Sequence, residues 1–311
     1  MTRVLIQLIS RVVLVCGLNV ALALGIGRVL PPEPELLFSA AYNLSDLNIY
    51  RMNMVRQITA AVTRNPANEF SPVWSPDGQH LVYASDRNGP YTIYISDAAG
   101  RDEYRLVESE GNQYNPAWSP DGRQIAYINE EKGYGEIMLY DIASATAQSM
   151  TDSSRTHVNP MWSPDGKSIT FVSDLDERWN TKIYTVDIVS RVITPILVGS
   201  ATNPIWSPDG RYLLYISGYE KPNLYIWDNN TQKSDVLYTG EFVSNDTPAW
   251  SEDGRSIIFA ALTANGNYGL FELPVGDCLQ QTVTCAAQLL TPIPAFYRSP
   301  SWKPTQTASH Q

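Results

Sequence analysis

Six tryptophans, Trp74, Trp118, Trp162, Trp206, Trp250 and Trp302, punctuate this chain, and the first five stand 44 residues apart. Each sits in a recurring word: SPVWSPDG, NPAWSPDG, NPMWSPDG, NPIWSPDG, TPAWSEDG and, degraded, SPSWKPT. A fixed period in the forties with a turn inside every unit predicts a β-propeller, each repeat being one blade.

One unit shows why. Residues 116–119 read as a short strand, and Ser119-Pro120-Asp121-Gly122 as a turn. Pro presets φ at the second position, Asp bonds the local backbone, and Gly takes the site with φ > 0. Residues 124–128, Gln-Ile-Ala-Tyr-Ile, read as the period-2 run of a second strand. A polar loop over 129–135 leads to a third strand over 136–140, and a fourth occupies 147–151. Four strands make a blade, and its Trp supplies a large side chain to bury against the neighbouring blade.

The chain ends predict how the ring closes. Residues 35–39, 48–52 and 56–59 match second, third and fourth strands, yet no Trp word precedes them. The missing first strand is expected from residues 299–303. The fold class is therefore all-β: a six-bladed propeller of four-stranded blades, with one blade stitched from both termini. Such a stitch leaves no open sheet edge at the seam.

These residues resemble the TolB-like propellers. The likeness lies in Trp74-Ser75-Pro76-Asp77-Gly78, in Leu81-Val82-Tyr83-Ala84-Ser85, in Ile93-Tyr94-Ile95-Ser96-Asp97, and in endings such as Gln57-Ile58-Thr59 and Met150-Thr151. It covers roughly residues 35 to 305. It implies the closed six-bladed ring, in a family that includes periplasmic translocation proteins and the propeller portions of oligopeptidases. TolB itself carries an α/β domain before its propeller; here the expectation is a propeller without that domain.

Three segments are expected: a signal peptide or signal anchor over 1–30, the propeller over 31–305, and a disordered tail over 306–311. Arg3 and Arg11 precede an apolar stretch over residues 12–26. Counted over residues 4–30, the segment suits either a membrane anchor or a cleaved signal peptide with Ala21-Leu22-Ala23 as the cleavage site. Both readings put the propeller outside the cytoplasm, with the membrane engaged only through this segment. A net charge of −10 argues against nucleic acid as a partner.

Catalytic motifs are missing: the chain has no Gly-x-Ser-x-Gly elbow, no HExxH and no phosphate-binding glycine loop. His80 and His310 read as exposed. His157 is the one histidine placed near the channel, although a metal site needs several convergent ligands. The acidic run at 174–177 lacks the glycine and spacing of a calcium loop. Asp77, Asp121, Asp165, Asp209 and Asp253 recur because the turn needs them. The chain is thus expected to be a monomeric, non-enzymatic protein without cofactor or metal.

What remains is the face where blades connect. The residues before each proline, Ser71, Asn115, Asn159, Asn203, Thr247 and Ser299, either ring the channel mouth or cap strand starts. Around them lie Glu69, Tyr114, His157, Asp246, Tyr297 and Arg298, which differ from blade to blade. Loops add Arg87, Tyr91, Tyr134, Arg178, Trp179, Tyr219, Lys221 and Tyr268. Tyr, Trp and Arg are enriched in interface hot spots. The expected ligand is a protein or peptide of the cell envelope, in assembly or transport. The alternatives are a glycan, or service as the accessory propeller of a peptidase or polysaccharide-degrading system.

Cys278 and Cys285 fall between Trp250 and Trp302, an interval longer than the others by eight residues. In an exported protein the pair reads as a disulfide closing a small hairpin, with a metal pair as the competing reading. A loop this short contributes roughly 2–3 kcal/mol before strain, and the gain stays local. Replacing both cysteines with serine is expected to shift the melting temperature only slightly. Mass spectrometry of unreduced peptides should show the bond, and free thiols at both positions would rule it out.

Overall fold

The computed structural model describes residues 33–304, apart from 42–45, 109–110, 132, 153, 177–179, 198, 219–221, 240–245, 277–278, 280–285 and 292–295. The signal or anchor segment, Cys278 and Cys285, and the tail lie outside the described residues. Among those described, no helix is long and apolar enough to cross a membrane.

Six four-stranded antiparallel sheets follow one another around a ring. Blade 3 is typical: Asn112–Trp118 innermost, then Gln124–Glu131, Tyr134–Asp141 and, outermost, Thr146–Ser149. The innermost strand begins earlier than the expected 116, and the second and third strands meet in a tight hairpin where a polar loop over 129–135 was expected. Tyr134 pairs with Glu131 across that hairpin.

Blade 1 is stitched from both ends of the chain, as the repeat count predicts. Phe296–Trp302 pairs with Glu35–Ala41, which continues to Asn48–Asn53 and Ile58–Ala61. The seam is reinforced beyond the ladder. Lys303 N donates to the Glu35 carbonyl at 2.9 Å, and Lys303 Nζ reaches Glu35 Oε2 at 3.0 Å. The same ammonium sits 4.9 Å from the centre of the Trp74 ring in blade 2.

The core is divided among the blade junctions. Between blades 3 and 4, Ile128, Ile137 and Leu139 pack against Trp162 and Phe171. Between blades 1 and 2, Leu37 and Ile49 meet Trp74 and Tyr83. The other four junctions repeat the arrangement. Each Trp therefore lies on the preceding blade as well as its own. Trp162 Nε1 donates to the Ala117 carbonyl (3.2 Å) and Trp206 Nε1 to Thr170 Oγ1 (2.8 Å), each in the blade before.

Each Ser-Pro-Asp-Gly turn is a small hydrogen-bonded knot. Ser119 Oγ donates to Asp121 Oδ1 (2.6 Å) and accepts from Gln124 N (2.9 Å), while Gly122 adopts φ of 70°. The Ser119 hydroxyl, together with the Arg123 backbone N–H, holds the Asp121 pKa below its ordinary value. The repeated aspartates are thus engaged in turn formation. Successive turns also touch: a Cβ on Gly122 would lie 3.7 Å from Cδ of Pro76 in the previous blade.

Because every junction needs both its blades, the seam should carry the ring. Deleting residues 296–311 removes the innermost strand of blade 1 and exposes the cores on either side of it. Circular dichroism and thermal melting should then show loss of cooperative unfolding. An unchanged melt would mean that the pairing of the two ends is not what closes the ring.

Candidate functional site

The innermost strands position everything that faces the channel. In blade 3, Tyr114 pairs with Ile128 and Ala117 with Ala126, so Asn115 and Pro116 together face one residue, Tyr127. This β-bulge recurs in blades 2, 4 and 5. In it Ser71, Asn115, Asn159 and Asn203, with Ser299 of blade 1, adopt φ between 48° and 53°. Left-handed backbone disfavours most side chains by roughly 1–2 kcal/mol, and Asn tolerates it best. The proline that follows has no N–H to leave unpaired, which is why a bulge accepts it. These residues do not cap strand starts, because in blades 2 to 5 the strands begin upstream of them.

The bulge brings the asparagines of three blades into contact. Asn115 Nδ2 donates to Asn159 Oδ1, and Asn159 Nδ2 donates to Asn203 Oδ1. With Ser71, Thr247 and Ser299 they form a polar collar around a cavity of about 500 Å³. The cavity runs from the collar past the tryptophans to the exposed prolines of the turns. It therefore opens on the face that carries the Ser-Pro-Asp-Gly turns, opposite the connecting loops.

On the loop side, two neighbouring strand positions behave differently. Five residues before the Trp, Glu69, Gln113 and His157 are fully buried. They tie adjacent blades together: Glu69 N donates to the Leu47 carbonyl (2.8 Å) and Gln113 N to the Tyr91 carbonyl (2.7 Å). Glu69 Oε1 accepts from Asn65 Nδ2 (2.6 Å) and pairs with Arg87, which also pairs with Glu103. Burial works against the charge on Arg87, but the bond to Glu103 and the neighbouring Tyr83 and Glu69 outweigh it, and its pKa is raised. The guanidinium lies 4.4 Å from the Tyr94 ring centre.

One residue further on, the side chains reach the face. The Tyr114 hydroxyl donates to Glu130 Oε2 (2.8 Å), and Arg298 Nε lies 3.6 Å from Asp246 Oδ2. Burial and the neighbouring Asp86 carboxylate raise the Tyr91 pKa, against the opposing charge of Arg298. Tyr134 is half-buried at its hairpin. Arg178, Trp179, Tyr219 and Lys221, and the Tyr297 side chain, lie outside the described residues. The structure thus brings Asn115, Asn159 and Asn203 together, pairs Asp246 with Arg298, and places Glu69 and His157 inside the blade junctions. Sequence reading missed Gln113 and the Arg87–Glu103 pair; the 44-residue alignment of Gln113 with Glu69 and His157 was the available signal.

Among the described residues no group of three or more His, Cys, Asp or Glu side chains could hold a metal ion. The sequence profile of the TolB beta propeller domain matches residues 88–308. The Tol-Pal system protein TolB of Thioalkalivibrio sulfidiphilus (strain HL-EbGR7) is 37% identical over an alignment of 62 residues, with 18% of this chain and 14% of that relative covered. This match spans far less than two thirds of the relative's length. The crystal structure of TolB from Acinetobacter baumannii superposes with a TM-score of 0.75 at 19% identity, over 89% of this chain and 68% of that one. A Mycobacterium tuberculosis puromycin-hydrolyzing peptidase superposes with a TM-score of 0.58 at 14% identity, over 82% of this chain and 44% of that one. At such identities the likeness is one of fold and transmits no activity.

His157 gives the loop side a pH signature. Its Nε2 bonds the Asp152 carbonyl at 3.0 Å, and Nδ1 is buried with no partner among the described residues. Burial lowers its pKa, against the opposing pull of the Asp152 carbonyl and of Asp152, Asp174 and Glu136. The unfolded chain takes up a proton near pH 6.5 that the folded protein resists. The stability given by the neutral ring is therefore full above that pH and declines as the pH falls below it. Urea midpoints measured at about pH 7.5 and about pH 5.5 should differ more for the wild type than for His157→Gln. Equal differences would show that this imidazole does not titrate with unfolding.

Proposed function

Since the chain belongs to the TolB β-propeller family, we propose that it serves as an exported, non-enzymatic scaffold that holds a protein or peptide partner on its loop face. The carrying observation is the contrast between a uniform frame and a varied surface. The turns, tryptophans and collar repeat from blade to blade, whereas Tyr91, Tyr114, Tyr134, Asp246 and Arg298 differ and reach the loop side. A rigid scaffold with variable loops acquires specificity in this way.

Tyr and Arg suit the task chemically. A tyrosine contributes a large apolar surface with one hydrogen-bonding end at little cost in conformational entropy. Arg298 and Asp246 form a part-exposed pair, with side chains 42% and 16% accessible, which a partner can address by charge. The Thioalkalivibrio relative is a Tol-Pal system protein, and a place in an assembly of the cell envelope fits the basic, apolar leader of this chain.

Photocrosslinking in intact cells tests the reading. A benzophenone amino acid at Tyr134 or at Tyr91 should capture one defined protein or peptide, identified by mass spectrometry. The same group at Lys167, which is 79% exposed on the turn face, should capture none of it. Equal capture from Lys167, or none from either tyrosine position in folded and exported protein, would overturn the proposal.

A further inference from the structure

The cavity on the turn side is walled in layers. Next to the collar come six prolines, Pro72, Pro116, Pro160, Pro204, Pro248 and Pro300. Below them lie Val73, Ala117, Met161, Ile205, Ala249 and Ser301, and then the edges of five tryptophans. Turn prolines form the mouth, where Glu252 replaces proline in blade 6. The volume, about 500 Å³, falls in the range of small-molecule sites.

Two features select a guest. The first is the collar. An asparagine amide offers two N–H donors and two acceptor lone pairs. The two bonds along the collar use one N–H each of Asn115 and Asn159. The second N–H of each, and Asn115 Oδ1, have no partner among the described residues, so the inner end can both donate and accept. The second feature is the wall. It has no charged side chain except Glu252 at the rim, and a charge drawn inward without a partner would be strongly disfavoured. Flat proline and indole surfaces favour a flat apolar body.

We propose that the turn-side half of the channel is a binding site for an uncharged aromatic small molecule with an N–H, hydroxyl or amide head, the head meeting the Asn115–Asn159 collar. The site is independent of partner binding on the loop face, because it opens on the opposite side of the ring.

N-phenyl-1-naphthylamine, a neutral aromatic amine whose emission rises in apolar surroundings, is the probe. Titrated into the full-length protein, it should give saturable one-to-one binding with energy transfer from the wall tryptophans. Met161→Trp and Ser301→Trp narrow the cavity from two sides and should each weaken binding by about tenfold or more. Folding of each variant is checked by circular dichroism, and either one suffices. Tyr134→Ala, on the loop face, should bind as the wild type does. 1-Phenylnaphthalene, which lacks the amine, should bind about tenfold more weakly, the loss expected when a buried hydrogen-bonding group goes unmet. Absence of saturable binding, unchanged affinity in a folded filling variant, weakened affinity in Tyr134→Ala, or equal affinity for the two compounds would each overturn the proposal.

Discussion

Packing of one blade's tryptophan and second strand against the blade before it is the interaction on which this protein depends. A four-stranded sheet has two faces, and here each face finds its apolar partner only in a neighbour. Tyr83, Tyr127, Tyr184 and Phe259, all essentially inaccessible to solvent, sit at such junctions. A ring is the arrangement in which every blade has two neighbours. That is why the pairing of Phe296–Trp302 with Glu35–Ala41 matters beyond its own hydrogen bonds: it supplies both neighbours of blade 1 at once.

The ring also creates a channel that must be lined. Regular strands would present Pro and Trp surfaces along its length. The bulge interrupts that pattern by turning one polar residue inward in five of the blades, at the strain of a left-handed φ. Asparagine reduces the strain and then bonds its neighbour across the blade junction, so a local backbone feature becomes a contact between blades. The channel is consequently polar at the collar and apolar below it.

The two faces of the ring have different tasks. Turn hydrogen bonds repeat almost without change from Ser75 to Ser251, and they order the face around the cavity mouth. Opposite, Glu69, Gln113 and His157 act as buried posts under the loops. Gly135 shows how tightly that side is built: a Cβ there would come within 2.5 Å of the His157 carbonyl oxygen. Surface side chains such as Tyr114 and Arg298 stand on this support, one strand position away.

Blade number, the turns and the closing strand were legible in the sequence, because each depends on residues close together in the chain or on a count of repeats. Trp118 with Ser119-Pro120-Asp121-Gly122 carries its turn chemistry locally, whatever surrounds it. The start of each innermost strand was not legible, because a proline ordinarily marks a strand boundary. Only pairing with the second strand shows that Asn115 and Pro116 sit inside a bulge. The ring of candidate residues mixed two strand positions for a similar reason. Glu69 and His157 lie one step before the position of Tyr114, Asp246 and Arg298, and successive strand residues point to opposite sides. Sequence by itself determined that six blades close on their own termini. Tertiary structure decided which polar residues are buried between blades and which reach solvent, because burial depends on the neighbouring blade, which a single repeat does not contain.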